Sequence, residues 1–247
     1  MYAIVGGSGL AKLTTLSNPR RQVMRTPYGD PSGALTFGQL AGAEVVFLAR
    51  HGYGHTLAPH EINYRANIWA LRELKIEGVI AVATVGGIRA DLVPGSLVLP
   101  DQIIDYTHSR KSTFFEGSEM PVIHVDFTQP YSQTLRKGLI EAAAACNETV
   151  IDGGVYACTQ GPRLETAAEI ERIAREGGDI VGMTGMPEAV LAREAELAYA
   201  SIAVVVNHAA GRGDSIKAIR LEELGAVMQP TIMRAVRILS SFFGGAP

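Results

Sequence analysis

Residues 201–206, SIAVVV, most limit what this chain can fold into. A run of small and β-branched residues with no polar alternation fits a strand covered on both faces. Such a strand needs helices on each side of a sheet, the layering of α/β proteins. The run stops at Asn207-His208 and gives way to the small turn Ala209-Ala210-Gly211. In open α/β sheets, ligands bind at the carboxyl edge of such strands. An amide there either caps the loop or reads a ligand's donors and acceptors, and the strand alone leaves both open.

The rest of the chain alternates in the same way. Strands are expected over 2–5, 23–26, 34–40, 43–49, 78–83, 96–104, 149–158 and 179–182. Gly153-Gly154 interrupts the seventh of these. Helical spacing is expected over 62–74, 131–146, 165–176, 187–197 and 221–243, the last broken or kinked at Pro230. In the fourth, Pro187 suits the first helical position and Glu188 the first turn. Residues 107–121 are polar and mixed, a loop long enough to be a lid. No repeat or linker divides the chain, so one α/β domain over 1–247 with a parallel or mixed sheet is expected.

Composition excludes several classes. The 22 basic and 25 acidic residues give a net charge of -3, which favours neither nucleic acid nor an anionic membrane. Arg20-Arg21 is too short to be a binding run. No apolar run approaches the ~20 residues of a membrane span, and no secretory leader is expected. The two cysteines, Cys146 and Cys158, read as buried thiols in a reducing compartment. A soluble cytoplasmic protein is expected.

Polar groups gather where strands end. Gly6-Gly7-Ser8-Gly9-Leu10 follows the first strand. It is neither a phosphate-binding Walker loop nor the dinucleotide fingerprint. A glycine turn with free N–H groups and one hydroxyl holds an anion or is simply a tight turn. Arg50-His51, Thr84-Val85-Gly86 and Thr184 follow other apolar strands. Arginine forks and turn amides are anion ligands in type, and four such groups after strands suggest one shared phosphate. His51, His55 and His60 lack acidic or thiol partners in their segment, so no metal is expected. Ser8 lacks the G-x-S-x-G setting of a hydrolase nucleophile.

Taken in order, Gly6-Gly7-Ser8-Gly9-Leu10, Arg50-His51-Gly52, Asn63-Tyr64-Arg65-Ala66-Asn67, Gly161-Pro162-Arg163-Leu164-Glu165-Thr166 and Gly182-Met183-Thr184-Gly185-Met186-Pro187-Glu188 resemble the trimeric purine nucleoside phosphorylase and methylthioadenosine phosphorylase family. The likeness runs from residue 2 to about 243. It implies a central mixed sheet, partly barrel-like, flanked by helices. It implies phosphorolysis, in which a purine nucleoside and inorganic phosphate, the co-substrate, give free purine and a pentose 1-phosphate. No cofactor and no metal are implied. Ser8, Arg50, His51, Thr84 and Thr184 would bind phosphate, and Met183 would lie under the ribose. Ala83 stands where many relatives carry a hydroxyl or amide residue. Leu164 replaces a phenylalanine that packs on the base.

Hydrogen-bond chemistry narrows the base. An ionised Glu165 only accepts, so it suits N1–H of a 6-oxopurine. The Asn207 amide can donate to O6 and accept the N7 proton of the leaving base. Relatives selective for 6-aminopurines carry aspartates where this chain has Asn207 and Ala209. The catalytic candidates are therefore Asn207, Glu165 and His51. At the sugar's 5′ end, Leu221 and Leu224 match apolar positions of methylthio-nucleoside enzymes, where other relatives have a histidine. His124 resembles the residue that closes this pocket from a neighbouring subunit, which implies a homotrimer. The expected substrate is 5′-methylthioinosine, with methylthioadenosine or inosine and guanosine as alternatives.

Overall fold

The computed structural model describes residues 1–10, 15–118 and 121–245. In chain order the elements are β1 (Tyr2–Gly6), β2 (Ser17–Gln22), β3 (Leu35–Leu40), β4 (Ala43–Ala49), α1 (Tyr64–Glu73), β5 (Gly78–Gly87), β6 (Leu97–Leu99), β7 (Gln102–Asp105), α2 (Gln133–Ala145), β8 (Ile151–Asp152), β9 (Val155–Cys158), α3 (Ala167–Arg175), β10 (Ile180–Gly182), α4 (Gly185–Glu194), β11 (Ala198–His208) and α5 (Leu224–Gly244). The sheet is mixed and runs β2-β3-β4-β1-β5-β10-β9-β7, while β11 lies on the other edge of β5 and leads to β6 and β8. It branches at β5 and does not close, so the barrel-like expectation gives way to an open sheet. Its free edge, β2, is exposed along its length and carries Pro19, Arg20 and Arg21, which discourage further pairing.

Side-chain alternation sorts the core into two layers. Val79 and Ala81 of β5 face α1 and α4, whereas Ile80 and Val82 face α2 and α5. As expected, β11 is buried on both faces from Tyr199 to Val206. No described helix is long and apolar enough to cross a membrane.

Several boundaries depart from the sequence reading. The edge strand is Ser17–Gln22, not 23–26, and Val23 is 78% exposed. The 96–104 strand is two pieces, β6 and β7, separated at Pro100-Asp101. Pro100 has no N–H to give a ladder, and Asp101 Oδ1 instead takes the Gly154 N–H at 2.8 Å. α3 starts at Ala167 because Thr166 and Glu169 form a reciprocal capping box. That leaves Glu165 on the loop before the helix. Pro230 does not break the last helix, and Leu221–Glu223 is a separate 3-10 turn ahead of it. The expected lid, whose residues 119–120 lie outside the described residues, is fastened over 107–118 by Phe114, whose N–H donates to Glu194 Oε2 at 2.7 Å and whose ring is buried against Tyr28.

Candidate active site

The register of β5 creates the site. β11 pairs with β5 along its whole length, and β1 pairs with the opposite edge only as far as Val82. β10 then joins that same edge, antiparallel, at Gly86 and Gly87. Between them Ala83, Thr84 and Val85 have no strand on that side. The carboxyl ends of β1 and β10 run toward each other across this gap, the crevice where α/β ligands bind.

A cavity of ≈ 460 Å³ opens there, lined by Ser8, Arg50, His51, Thr84, Leu164, Glu165, Met183, Thr184, Asn207, Ala209 and Leu224. Of the site residues expected from sequence, Leu221 and His124 stand outside it. Leu221 is 62% exposed on its 3-10 turn, and Ile219 with Leu224 supplies the apolar wall. His124 is exposed beside Val122 and Ile123.

The anion end is built on Arg50, which is 1% exposed at the end of β4. Its Nε and Nη2 donate to Glu188 Oε2 and Oε1 at 2.6 and 2.8 Å. Nη2 also donates to Val5 O and Nη1 to Val82 O. One Nη1 N–H remains. A Cβ on Gly7 would lie 3.0 Å from Nη1, so only glycine lets the guanidinium come this close to the turn. Burial works against the charge on Arg50, but the Glu188 carboxylate more than offsets this and holds its pKa above the ordinary guanidinium range. Glu188 therefore does not serve the α4 dipole in solvent. It is 1% exposed and also accepts from Tyr199 Oη at 2.8 Å.

Burial pulls the His51 imidazole down to about 4; the Leu57 carbonyl opposes this, and Arg50 and His55 reinforce it. His51 is thus neutral at pH 7. Its Nδ1 lies 2.8 Å from Leu57 O, an acceptor only, so the proton sits on Nδ1 and Nε2 is left to accept. Burial likewise pushes the Cys158 thiol up to about 12, in keeping with an inert core cysteine. No group of three or more possible metal ligands occurs among the described residues.

At the opposite end, Thr159 Oγ1 donates to Glu165 Oε1 at 2.5 Å, which leaves Oε2 to accept from a ligand. Asn207 reaches the cavity because of a bulge. Register with β5 shifts between Val205 and Asn207, and the extra residue turns both Val206 and Asn207 to the cavity. Asn207 Nδ2 donates to His208 O at 2.6 Å. That bond fixes the amide's orientation and leaves Oδ1 and one N–H free, so Asn207 caps its loop and still presents both kinds of group. Sequence reasoning missed Glu188 as Arg50's partner, Thr159 behind Glu165, and the cavity residues His55, Pro59, Val206 and Ile219. Glu188 closes the Met-Thr-Gly-Met-Pro-Glu motif and Thr159 lies two residues before the Gly-Pro-Arg-Leu-Glu motif; the rest carry no local signal.

Comparison with known proteins identifies the family. A model of the phosphorylase superfamily matches residues 1–243. A probable S-methyl-5′-thioinosine phosphorylase from Pseudomonas syringae pv. tomato is 54% identical, covering 87% of this chain and 88% of that protein. A 6-oxopurine nucleoside phosphorylase from Pyrococcus furiosus is 48% identical, covering 96% and 89%. Among solved structures, Schistosoma mansoni methylthioadenosine phosphorylase with adenine superposes with a TM-score of 0.91 at 31% identity, covering 98% of this chain and 90% of that one. The chain belongs to the phosphorylase superfamily, and it is a nucleoside phosphorylase.

Proposed function

We propose that the chain, as a single domain, phosphorolyses 5′-methylthioinosine to hypoxanthine and 5-methylthioribose 1-phosphate. The observation that carries this is Asn207, held by His208 O with one donor and one acceptor free, lining the same cavity as Glu165. Glu165 Oε2 takes N1–H of the 6-oxopurine, the free Asn207 N–H goes to O6, and Oδ1 takes the proton on N7. Ala209 offers no acceptor to a 6-amino group. Leu164 covers a base face, and the apolar wall of Val206, Ile219 and Leu224 suits a thioether. The relatives named for methylthioinosine and for 6-oxopurine nucleosides support the same base. The second of them favours an unmodified 6-oxopurine nucleoside as the alternative substrate.

Phosphate binds to Ser8, the free Arg50 N–H, Thr84 and Thr184, and its own O–H donates to His51 Nε2. As the C1′–N9 bond lengthens, positive charge grows on the sugar ring, above Met183, and a phosphate oxygen bonds to C1′. The bond's electron pair leaves with the purine, which takes up at N7, through water, a proton matching the one the phosphate gives up, and the resulting N7–H donates to Asn207 Oδ1. Positioning and fixed dipoles supply the catalysis, without cofactor or metal. We also propose a cytoplasmic homotrimer in which exposed His124 enters a neighbour's 5′ pocket. Purine release from methylthioinosine is expected to require inorganic phosphate and to yield sugar 1-phosphate in equal amount. Equal release without phosphate would make the enzyme a hydrolase.

A further inference from the structure

Arg110 belongs to the 107–121 loop and does not line the cavity, yet its guanidinium joins the two segments that form the nucleoside half. Nη1 donates to Met183 O at 2.9 Å, Met186 O at 2.5 Å and Tyr64 Oη at 3.3 Å. Nη2 donates to Thr159 O at 3.3 Å and Gln160 O at 2.8 Å. Nε donates to Gln160 Oε1 at 3.1 Å. The guanidinium also sits 5.6 Å from the centre of the Tyr64 ring, whose hydroxyl donates to Pro59 O. Apart from Tyr64 at the start of α1, the acceptors lie on the 159–160 and 183–186 segments, which adjoin the cavity-lining residues, and four of the six acceptors are main-chain carbonyls.

Thr159 and Gln160 open the segment that carries Leu164 and Glu165; Met183 and Met186 bracket Thr184. The segments meet at their roots through β9–β10 pairing and the Thr159 N–H to Gly182 O bond, and among the described side chains Arg110 alone spans them beyond that point with a guanidinium fork. A lysine has the charge but not the plane, and cannot serve these directions at once. We infer that Arg110 is a positioning residue that sets the purine- and ribose-facing segments at their working separation. The inference rests on the nucleoside reading above. The phosphate groups Ser8, Arg50 and His51 are carried by the ends of β1 and β4, to which Arg110 makes no bond.

The test is the kinetics of Arg110→Ala, with Arg110→Lys used if the alanine variant does not fold. A misplacement of about 1 Å is enough to cost ~10²-fold, so KM for the nucleoside is expected to rise roughly tenfold or more and kcat to fall. KM for phosphate is expected to stay within about threefold, because Ser8, Arg50, His51 and Thr84 sit on elements that Arg110 does not touch and only Thr184 lies in a segment it holds. Millimolar guanidinium should restore the nucleoside KM of Arg110→Ala, whereas ammonium should not. A parallel rise of both KM values, wild-type kinetics, or lost stability with no guanidinium rescue would overturn the inference. If the wild-type enzyme itself released no purine with phosphate present, the nucleoside reading would fail instead.

Discussion

Replacing Glu188 by alanine is expected to cost roughly 3–5 kcal/mol of stability, the usual penalty for removing one member of a buried ion pair. Phosphorolysis should fall by ~10²-fold or more, the scale of losing a preorganised donor to a developing charge. Arg50 is 1% exposed and cannot shed its proton, so without Glu188 its charge is left buried and unpaired. Two of its N–H groups also lose their acceptors, and only the longer bonds to Val82 O and Val5 O are left to hold the plane that aims Nη1 at the glycine turn. Tyr199→Phe is the control. It removes one hydrogen bond to Glu188 but keeps the ion pair, so it should cost about 0.5–1.5 kcal/mol, rising toward 3 if the charged acceptor counts fully. Denaturant unfolding of both variants, with kcat/KM for phosphate, checks this. A Glu188→Ala protein within about 1 kcal/mol of wild type would show that solvent reaches Arg50.

Asn207→Asp is expected to shift the ratio of kcat/KM toward the 6-amino nucleoside by ~10²-fold or more, within the ~10⁴ that a mismatched buried polar group can impose. Aspartate loses the donor for O6 and gains an acceptor for an amino group. Its carboxylate would also face the His208 carbonyl, where the amide now donates at 2.6 Å. The variant should therefore be slower on both compounds than wild type is on the 6-oxo nucleoside. An unchanged ratio would mean that Asn207 serves only its own loop.

What the sequence disclosed follows from where the physics is local. β5 and β11 are legible because burial on both faces leaves continuous apolar runs. The groups proposed to bind phosphate are legible because each follows such a run. The edge strand β2 is not, because Ser-Asn-Pro-Arg-Arg-Gln buries nothing. Glu188 looks like an ordinary first-turn acid, and its partner lies 138 residues away. Arg110 is silent because its partners are mostly carbonyls, which every residue has. The bulge that aims Asn207 is a property of pairing with β5, not of the strand's own composition. Leu221 is expected at the sugar but stands exposed on its 3-10 turn, and Ile219 and Leu224 hold the wall instead.

The most direct test is kcat/KM measured side by side on methylthioinosine, inosine and methylthioadenosine with saturating phosphate. Methylthioinosine should be best. Methylthioadenosine should fall behind by ~10²-fold or more through base mismatch, and inosine by roughly tenfold through a thioether worth about 1–2 kcal/mol in an apolar pocket. Methylthioadenosine turned over as fast as methylthioinosine would contradict the assignment of Asn207 and Glu165 as readers of a 6-oxopurine.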